Sequence, residues 1–528
     1  MTLKKLFSLA VLFFFYISYG QKIDVQHYRF ELELSDASDT IKGKATVTVT
    51  FLEQASMLQL QLKSVDRGKG MIGYRALEKG NTLSSAHSKD TFSIFLPTPA
   101  RRNETRTFDI LYMGIPADGL IISKNKWGDR TFFADNWPNR ARHWLPCHDV
   151  PVDKASVEFV VTAPVYYNVV ANGLQVEETV LDKSRKRTHW REEVPLPTKV
   201  MAVGVAKFAA GRLDSAGCVP VTAWVYPQDR EKGFYDYALA VDILKFFSDY
   251  IAPYPYKKLA NVQSKTIFGG MENAGTIFYA EETVTGKRRS EDLIAHEIAH
   301  QWFGDMVTEK SFAHLWLSEG FATYLADVYI EKKWGKDSMQ RRLQNEREAV
   351  LKFSRTNNKP VVDSTSDLMD LLNANSYQKG AWVLHMLRNT VGDTVFQKII
   401  RSYYQQYKGS NADTRDFQAI VETVTGKSWQ SFFDQWLYQP GIPKISVHWQ
   451  YVNNKMVLNI EQKGAGKYAF PLQIAFVDAN GKQVLQQFMV TPESNAFSVP
   501  LTAKPSKIIL DPNNSLLFEE VVIPFKSR

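Results

Sequence analysis

The stretch His296-Glu297-Ile298-Ala299-His300 decides how the rest of the chain is read. On a helix, side chains four positions apart stand one turn above each other on the same face. His296 and His300 can therefore turn two imidazoles toward one metal ion, with Glu297 beside them to hold a water. The flanks favour a helix. Ser290 is a good N-cap residue and Glu291 and Asp292 suit a first turn. Leu293, Ile294, Ile298, Trp302 and Phe303 supply apolar packing. An H-E-x-x-H pattern on a helix provides two zinc ligands and a general base.

A zinc site that hydrolyses amides needs a third protein ligand and one open position for water. Glu319, within Trp316-Leu317-Ser318-Glu319-Gly320-Phe321-Ala322, is the candidate. Eighteen residues separate it from His300. That is room for the end of one helix, a turn and the start of a second helix crossing the first. The set His296, His300 and Glu319 predicts one Zn2+ per chain, and other divalent ions accept the same donors.

Further stretches follow in order. They are Gly269-Gly270-Met271-Glu272-Asn273, the extended run from His296 to Asp305, Tyr377-Gln378-Lys379-Gly380, and Trp436 followed by Pro440-Gly441-Ile442-Pro443. With these in place the chain resembles the aminopeptidase N family of zinc metallopeptidases, which includes leukotriene hydrolase. Gly269–Asn273 is similar to that family's Gly-Ala-Met-Glu-Asn exopeptidase motif, with Gly270 where alanine is commoner. The resemblance implies a thermolysin-like catalytic domain. It also implies substrate contacts from Gly269, Gly270, Met271, Glu272 and Asn273, and transition-state stabilisation by Tyr377. Glu297 is the expected general base. Glu272 is expected to pair with a protonated α-amine, so the expected substrates are peptides with a free N-terminus. A zinc endopeptidase, an epoxide-opening enzyme and a non-catalytic binding protein on the same scaffold stand as alternatives.

One stretch departs from the family pattern. Ala141-Arg142 and Pro146-Cys147 match a family segment that reaches toward the active site, and many relatives place a Gln-x-Glu before it to help hold the amine. Here Asp135-Asn136-Trp137 stands in that place. Asp135 or Asn136 is a candidate replacement, and a purely structural loop is the competing reading.

Residues 1–20 read as a secretory signal peptide, with Lys4 and Lys5 as the basic start, Leu6 to Tyr16 as the apolar segment and Ser18-Tyr19-Gly20 at the cleavage position. The expectation is export with no stable membrane insertion. The chain has 528 residues, 44% of them hydrophobic and 23% charged. That is ordinary globular composition with material for more than one domain. The net charge of +8 is modest for this length, and the clusters Lys287-Arg288-Arg289 and Lys183–Arg187 lack interleaved aromatics, so no nucleic-acid partner is expected. The two cysteines, Cys147 and Cys218, are too few for a zinc cluster.

Hydrophobic periodicity divides the mature chain. From 21 to 210 the period is two: Tyr28, Phe30, Leu32 and Leu34, then Ala45, Val47, Val49 and Phe51, then Leu58, Leu60 and Leu62. This predicts an N-terminal antiparallel β domain. From 211 to 440 the pattern is mostly helical. One helix is expected from near Tyr235 to Tyr250, ended by Pro253 and Pro255. Asp393 and Thr414 are expected to cap later helices. From 441 to 528, Leu472, Ile474 and Phe476 alternate with Gln473 and Ala475 before an Asn480-Gly481 hairpin signal, which predicts a small β-sandwich. The fold class is thus multidomain α+β.

Overall fold

Alternation of apolar and polar residues puts one face of each N-terminal strand against a core. In the computed structural model, which describes residues 22–521 apart from 366, 465, 493 and 494, Ile23–Glu33 and Ile41–Phe51 pair antiparallel with Tyr28 opposite Val47 and Phe30 opposite Ala45. These four side chains are buried. The signal-peptide reading of residues 1–20 falls outside the described residues. The two strands sit centrally in an eight-stranded sheet. The sheet is antiparallel except where Lys154–Pro164 runs parallel to Ile23–Glu33. A smaller sheet holds Ala55–Gln61, and Leu58, Leu60 and Leu62 are buried there as their spacing predicts.

The second region begins with a five-stranded mixed sheet. Its order is Ala209–Ala216, Val219–Val225, Leu259–Ser264, Thr276–Ala280 and Gly270–Met271, the last at one edge. Helices follow: α1 (Arg230–Tyr237), α2 (Leu239–Tyr250), α3 (Glu291–His300), α4 (Trp316–Trp334), α5 (Lys336–Thr356), α6 (Gly380–Val391), α7 (Asp393–Tyr407) and α8 (Thr414–Thr425). The helix expected to start near Tyr235 begins earlier, at Arg230, and is offset at Ala238, where the amide of Val241 bonds the Ala238 carbonyl in a tighter turn. It ends at Tyr250 as expected.

Three capping expectations are corrected. Ser290 precedes α3, but its hydroxyl donates to the Thr283 carbonyl and caps no amide. Asp393 lies inside the first turn of α7 and pairs with Arg388 at 2.7 Å. Asp413, one residue before Thr414, caps α8 and forms a reciprocal box with Asp416. The Thr414 hydroxyl instead accepts from the Trp316 indole at 2.9 Å.

The C-terminal strands form two sheets of four and three. Asn480-Gly481 lies in the turn between Phe470–Val477 and Gln483–Val490, with Gly481 at positive φ. Cys147 is buried, Cys218 is exposed, and they are not bonded. No helix among the described residues is long and apolar enough to cross a membrane.

Two apolar cores hold the molecule. One joins the helices to the C-terminal sheets. The other fills the N-terminal sheets and extends into the second region, taking in Val262, Met271, Phe278, Phe312 and Leu371. Polar contacts stitch the same boundary. Lys154 donates to the carbonyls of Asp305, Met306 and Ser410 at 3.0–3.2 Å.

Candidate active site

The i, i+4 spacing on α3 brings the two histidine rings together, with His296 Nε2 3.0 Å from His300 Nε2. Glu319 enters from the first turn of α4. Its Oε2 lies 3.3 Å from His296 Nε2 and 3.2 Å from His300 Nε2. Donors held about 2.0–2.1 Å from a tetrahedral ion stand about 3.3 Å apart, so the triangle has the right size for zinc. The orientation also fits. His300 Nδ1 faces the Phe303 carbonyl at 3.1 Å, which fixes the proton there and leaves the Nε2 lone pair turned inward. Burial opposes charge on His300, yet Glu319 with Glu272 and Glu297 raises it to about 10. The same pairing holds Glu319 well below the usual carboxylate range against the effect of burial.

Tyr377 reaches this triad because two helices cross at glycines. A Cβ on Gly320 of α4 would lie 2.9 Å from the backbone of Gly380 at the start of α6. Only glycine at both positions lets the backbones approach so closely. Tyr377 precedes the crossing in a π-helical turn, Asn375–Lys379. Its ring stacks on His296 with centroids 6.0 Å apart and planes 15° from parallel. Burial, and then the neighbouring Glu319, Glu272 and Glu297, push its phenol well above the ordinary value, so it carries its proton.

The Gly269–Asn273 segment forms the opposite wall. Gly270 and Met271 pair with Tyr279 and Phe278 on one side only, leaving the other strand edge free. A Cβ on Gly270 would sit 2.3 Å from Glu297 Oε1. The missing side chain is the space that the Glu297 carboxylate occupies. Glu297 is 4% exposed, and burial raises its pKa well above the usual range. Glu272 is 6% exposed and its Oε1 has no partner. Burial raises its pKa too, against the pull of His300 and Lys199. Asn273 is fully buried with both side-chain amide atoms unpartnered. All of the predicted site residues except Asn273 line one cleft of about 580 Å3.

Asp135 and Asn136 do not reach that cleft. Asp135 pairs with Arg140 at 2.6 Å and accepts from Thr266 and the Ile267 amide. The Asn136 amide donates to the Thr198 and Met201 carbonyls and accepts from Trp144. Both are fully buried, so neither is free to bind an amine, and the structural reading of that loop holds for them. Trp137 alone of the three lines the cleft.

Two residues given no role in the sequence reading matter here. Gln301 donates to the Glu272 carbonyl at 2.8 Å and accepts from the Gly275 amide, tying the Gly269–Asn273 segment to α3. Its place directly after His300 is the only local signal for it. Lys199, from the N-terminal region, donates to Glu309 Oε1 at 2.6 Å with the two side chains 1% and 0% exposed. A lone lysine in a β-patterned stretch carries no signal of that kind.

Residues 24–200 match the peptidase M1 N-terminal domain and residues 235–436 match the peptidase family M1 domain. The chain belongs to peptidase family M1. The resemblance to the aminopeptidase N family is thereby borne out. This M1 chain is 30% identical to a probable aminopeptidase 2 of Sulfurisphaera tokodaii over 397 residues, covering 70% of the chain and 49% of that protein. It is also 30% identical to aminopeptidase M1-C of Oryza sativa subsp. japonica, covering 63% of the chain and 40% of the relative. The M1 chain thus spans less than half the length of these curated relatives. An M1 zinc metallopeptidase structure from Deinococcus radiodurans shares the fold, with a TM-score of 0.67 and 24% identity over 79% of this chain and 94% of that one.

Proposed function

We propose that this M1 chain is a zinc-dependent aminopeptidase that removes N-terminal residues from peptides. The observation that carries the reading is the buried Glu272 carboxylate, its Oε1 without a partner, on the same cleft as the His296, His300 and Glu319 triad. Those three residues would hold one Zn2+, which when bound acidifies a water and polarises a carbonyl. Glu297 accepts the proton of the attacking water and passes it to the leaving amine. The Tyr377 hydroxyl donates to the oxygen that gains charge as the carbonyl is attacked. The strand edge at Gly269, Gly270 and Met271 pairs with the extended substrate backbone. Glu272 pairs with the protonated α-amine. An internal peptide segment brings no such charge and would leave the carboxylate desolvated and unpaired.

In the same reading the chain divides near residues 210 and 440 into an N-terminal β domain, the catalytic domain and a C-terminal β-sandwich. Export follows from the signal-like residues 1–20. The test is one short peptide in free and N-acetylated forms, followed by product mass over time. Stepwise loss of residues from the free form, with the acetylated form intact, is the expected result. Internal cutting of both forms would overturn the exopeptidase assignment.

A further inference from the structure

The turn that follows Glu272 is held by two side-chain amides from remote parts of the chain. Glu272 leaves the short strand Gly270–Met271, which pairs with Phe278 and Tyr279. The chain then turns back through Asn273, Ala274 and Gly275, with the Thr276 amide bonded to the Asn273 carbonyl at 2.9 Å and Gly275 at a φ of 67°. Gln301, directly after α3, donates to the Glu272 carbonyl at 2.8 Å and to Asp305 Oδ2 at 3.0 Å. Its Oε1 accepts from the Gly275 amide at 2.8 Å and from the Tyr254 hydroxyl at 3.1 Å. Both hydrogens and both lone pairs of that amide are thereby used.

The second amide belongs to Asn172 in the N-terminal region. It donates to the Ala274 carbonyl at 2.8 Å and to the Val200 carbonyl at 3.0 Å, and it accepts from the Ala202 amide at 2.6 Å. The Val200 carbonyl also accepts from the Ala274 amide at 3.2 Å. Asn172 and Val200 therefore grip Ala274 by both of its backbone groups. Gln301 and Asn172 are buried, and neither lines the cleft.

Backbone and side chain are treated differently here. The carbonyls of Glu272, Asn273, Ala274 and Gly275 all have partners, the last of them Lys258 at 2.9 Å. The Glu272 carboxylate is buried with its Oε1 unpartnered. Such a group is costly to bury and gains by swinging toward water. Gln301 and Asn172 are uncharged, so they fix the backbone without supplying the counter-ion that the carboxylate lacks. A carboxylate held this way takes up a cation with little further ordering.

We infer that Gln301 and Asn172 are positioning residues for recognition of the substrate's α-amine, acting through the backbone of residues 272–275. The inference rests on the aminopeptidase reading, because Glu272 must be the partner of the amine. It makes amine recognition depend on a residue of the N-terminal region that stays out of the cleft.

The test uses the zinc-loaded full chain and two probes that share a hydroxamate and differ only in the amine: leucine hydroxamate and 4-methylpentanoyl hydroxamate. Binding of each is measured by calorimetry at about pH 6.5, below the ordinary α-amine range of about 7.7–8.0. The ratio of the two affinities is the contribution of the amine. It is expected to be about ten- to a hundredfold in the parent, and close to one in Glu272→Ala. Gln301→Met and Asn172→Leu keep the carboxylate and nearly the replaced volume. In each of them the ratio should fall by a factor of about five or more, while the des-amino probe binds as it does to the parent. Equal weakening of both probes leaves the two amides a merely structural role and overturns the inference, as does an unchanged ratio in both variants. Should Asn172→Leu fail to fold, Gln301→Met decides alone. A parent ratio close to one, or a ratio that survives Glu272→Ala, overturns the amine-binding reading itself and the inference with it.

Discussion

Replacing Lys199 with methionine isolates one charge at the junction behind the cleft. The lysine ammonium sits 2.6 Å from Glu309 Oε1, and the side chains are 1% and 0% exposed. Glu309 Oε2 has no other partner, and the nearest aromatic face, Phe312, is 5.9 Å from the ammonium. Burial works against the lysine charge, but Glu309 and Glu272 hold its pKa above the ordinary value, so the lysine keeps its charge. Methionine keeps most of the lysine stem and its packing while removing the charge. The carboxylate then loses its hydrogen-bonded counter-ion while staying buried, and such a break costs about 3–5 kcal/mol. Removing both charges costs far less, because an apolar pair in place of a buried ion pair is close to neutral or stabilising. The assay is urea unfolding followed by tryptophan fluorescence for the parent, Lys199→Met, Glu309→Leu and the double variant. The expected pattern is a large loss for Lys199→Met and recovery of most of it in the double variant. A single-variant loss below about 1 kcal/mol, or a double variant no better than Lys199→Met, would refute the reasoning, since the magnitude rests on an uncompensated buried charge.

Glu297→Gln is expected to keep its zinc, counted by metal analysis, and to lose turnover by about two to four orders of magnitude; activity within a factor of about ten of the parent excludes Glu297 as the base. Tyr377→Phe retains the ring stacked on His296 and removes only the hydroxyl, so kcat should fall about a hundred- to a thousandfold with KM little changed; a pure KM effect argues against the assigned role. Gly320→Ala drives a Cβ to 2.9 Å from the Gly380 backbone, so a loss of about 1–3 kcal/mol together with weaker zinc binding through Glu319 is expected, and unchanged melting temperature and zinc affinity would contradict it. Burial pushes Lys379 down to about 7, its ammonium meeting the Gly441 carbonyl at 2.7 Å. An unfolded lysine keeps its proton to ~10.4. Between those values the unfolded chain binds more protons, so stability should rise with pH by up to about 1.4 kcal/mol per unit. Lys379→Met lacks that rise, and parallel stability curves for the two proteins from pH 7 to 10 would disprove it.

Much of this molecule was legible locally. The spacing of His296 and His300 and the distance to Glu319 foretold a triad that closes within 3.3 Å. Period two placed Phe30, Val47 and Leu60 in cores, because alternation follows from strand geometry alone. What stayed hidden depends on partners remote in sequence. Asp135 looked like a candidate amine contact, yet Arg140 and the segment around Thr266 consume both its oxygens. Lys199 and Glu309 are 110 positions apart, and neither residue carries a local pattern. The cap of α8 falls on Asp413 and not Thr414 because both are good cap residues and only the backbone turn decides which one serves, while α7 starts after Gly392 at positive φ and has no side-chain cap.

The second core does not respect the point where strand pattern gives way to helix pattern. Val262, Phe278 and Phe312 belong by sequence to the region of the zinc motif, but they pack with residues that come before residue 210. Lys154 grips the loop that follows α3. The cleft is therefore a joint product that neither half inherits alone. A crossover near residue 210 between two diverged relatives would mate a wall from one parent with a floor from the other, so it should yield active chimeras only where the residues facing each other across that seam came from the same ancestor. The unit of exchange in this architecture is larger than the unit of pattern.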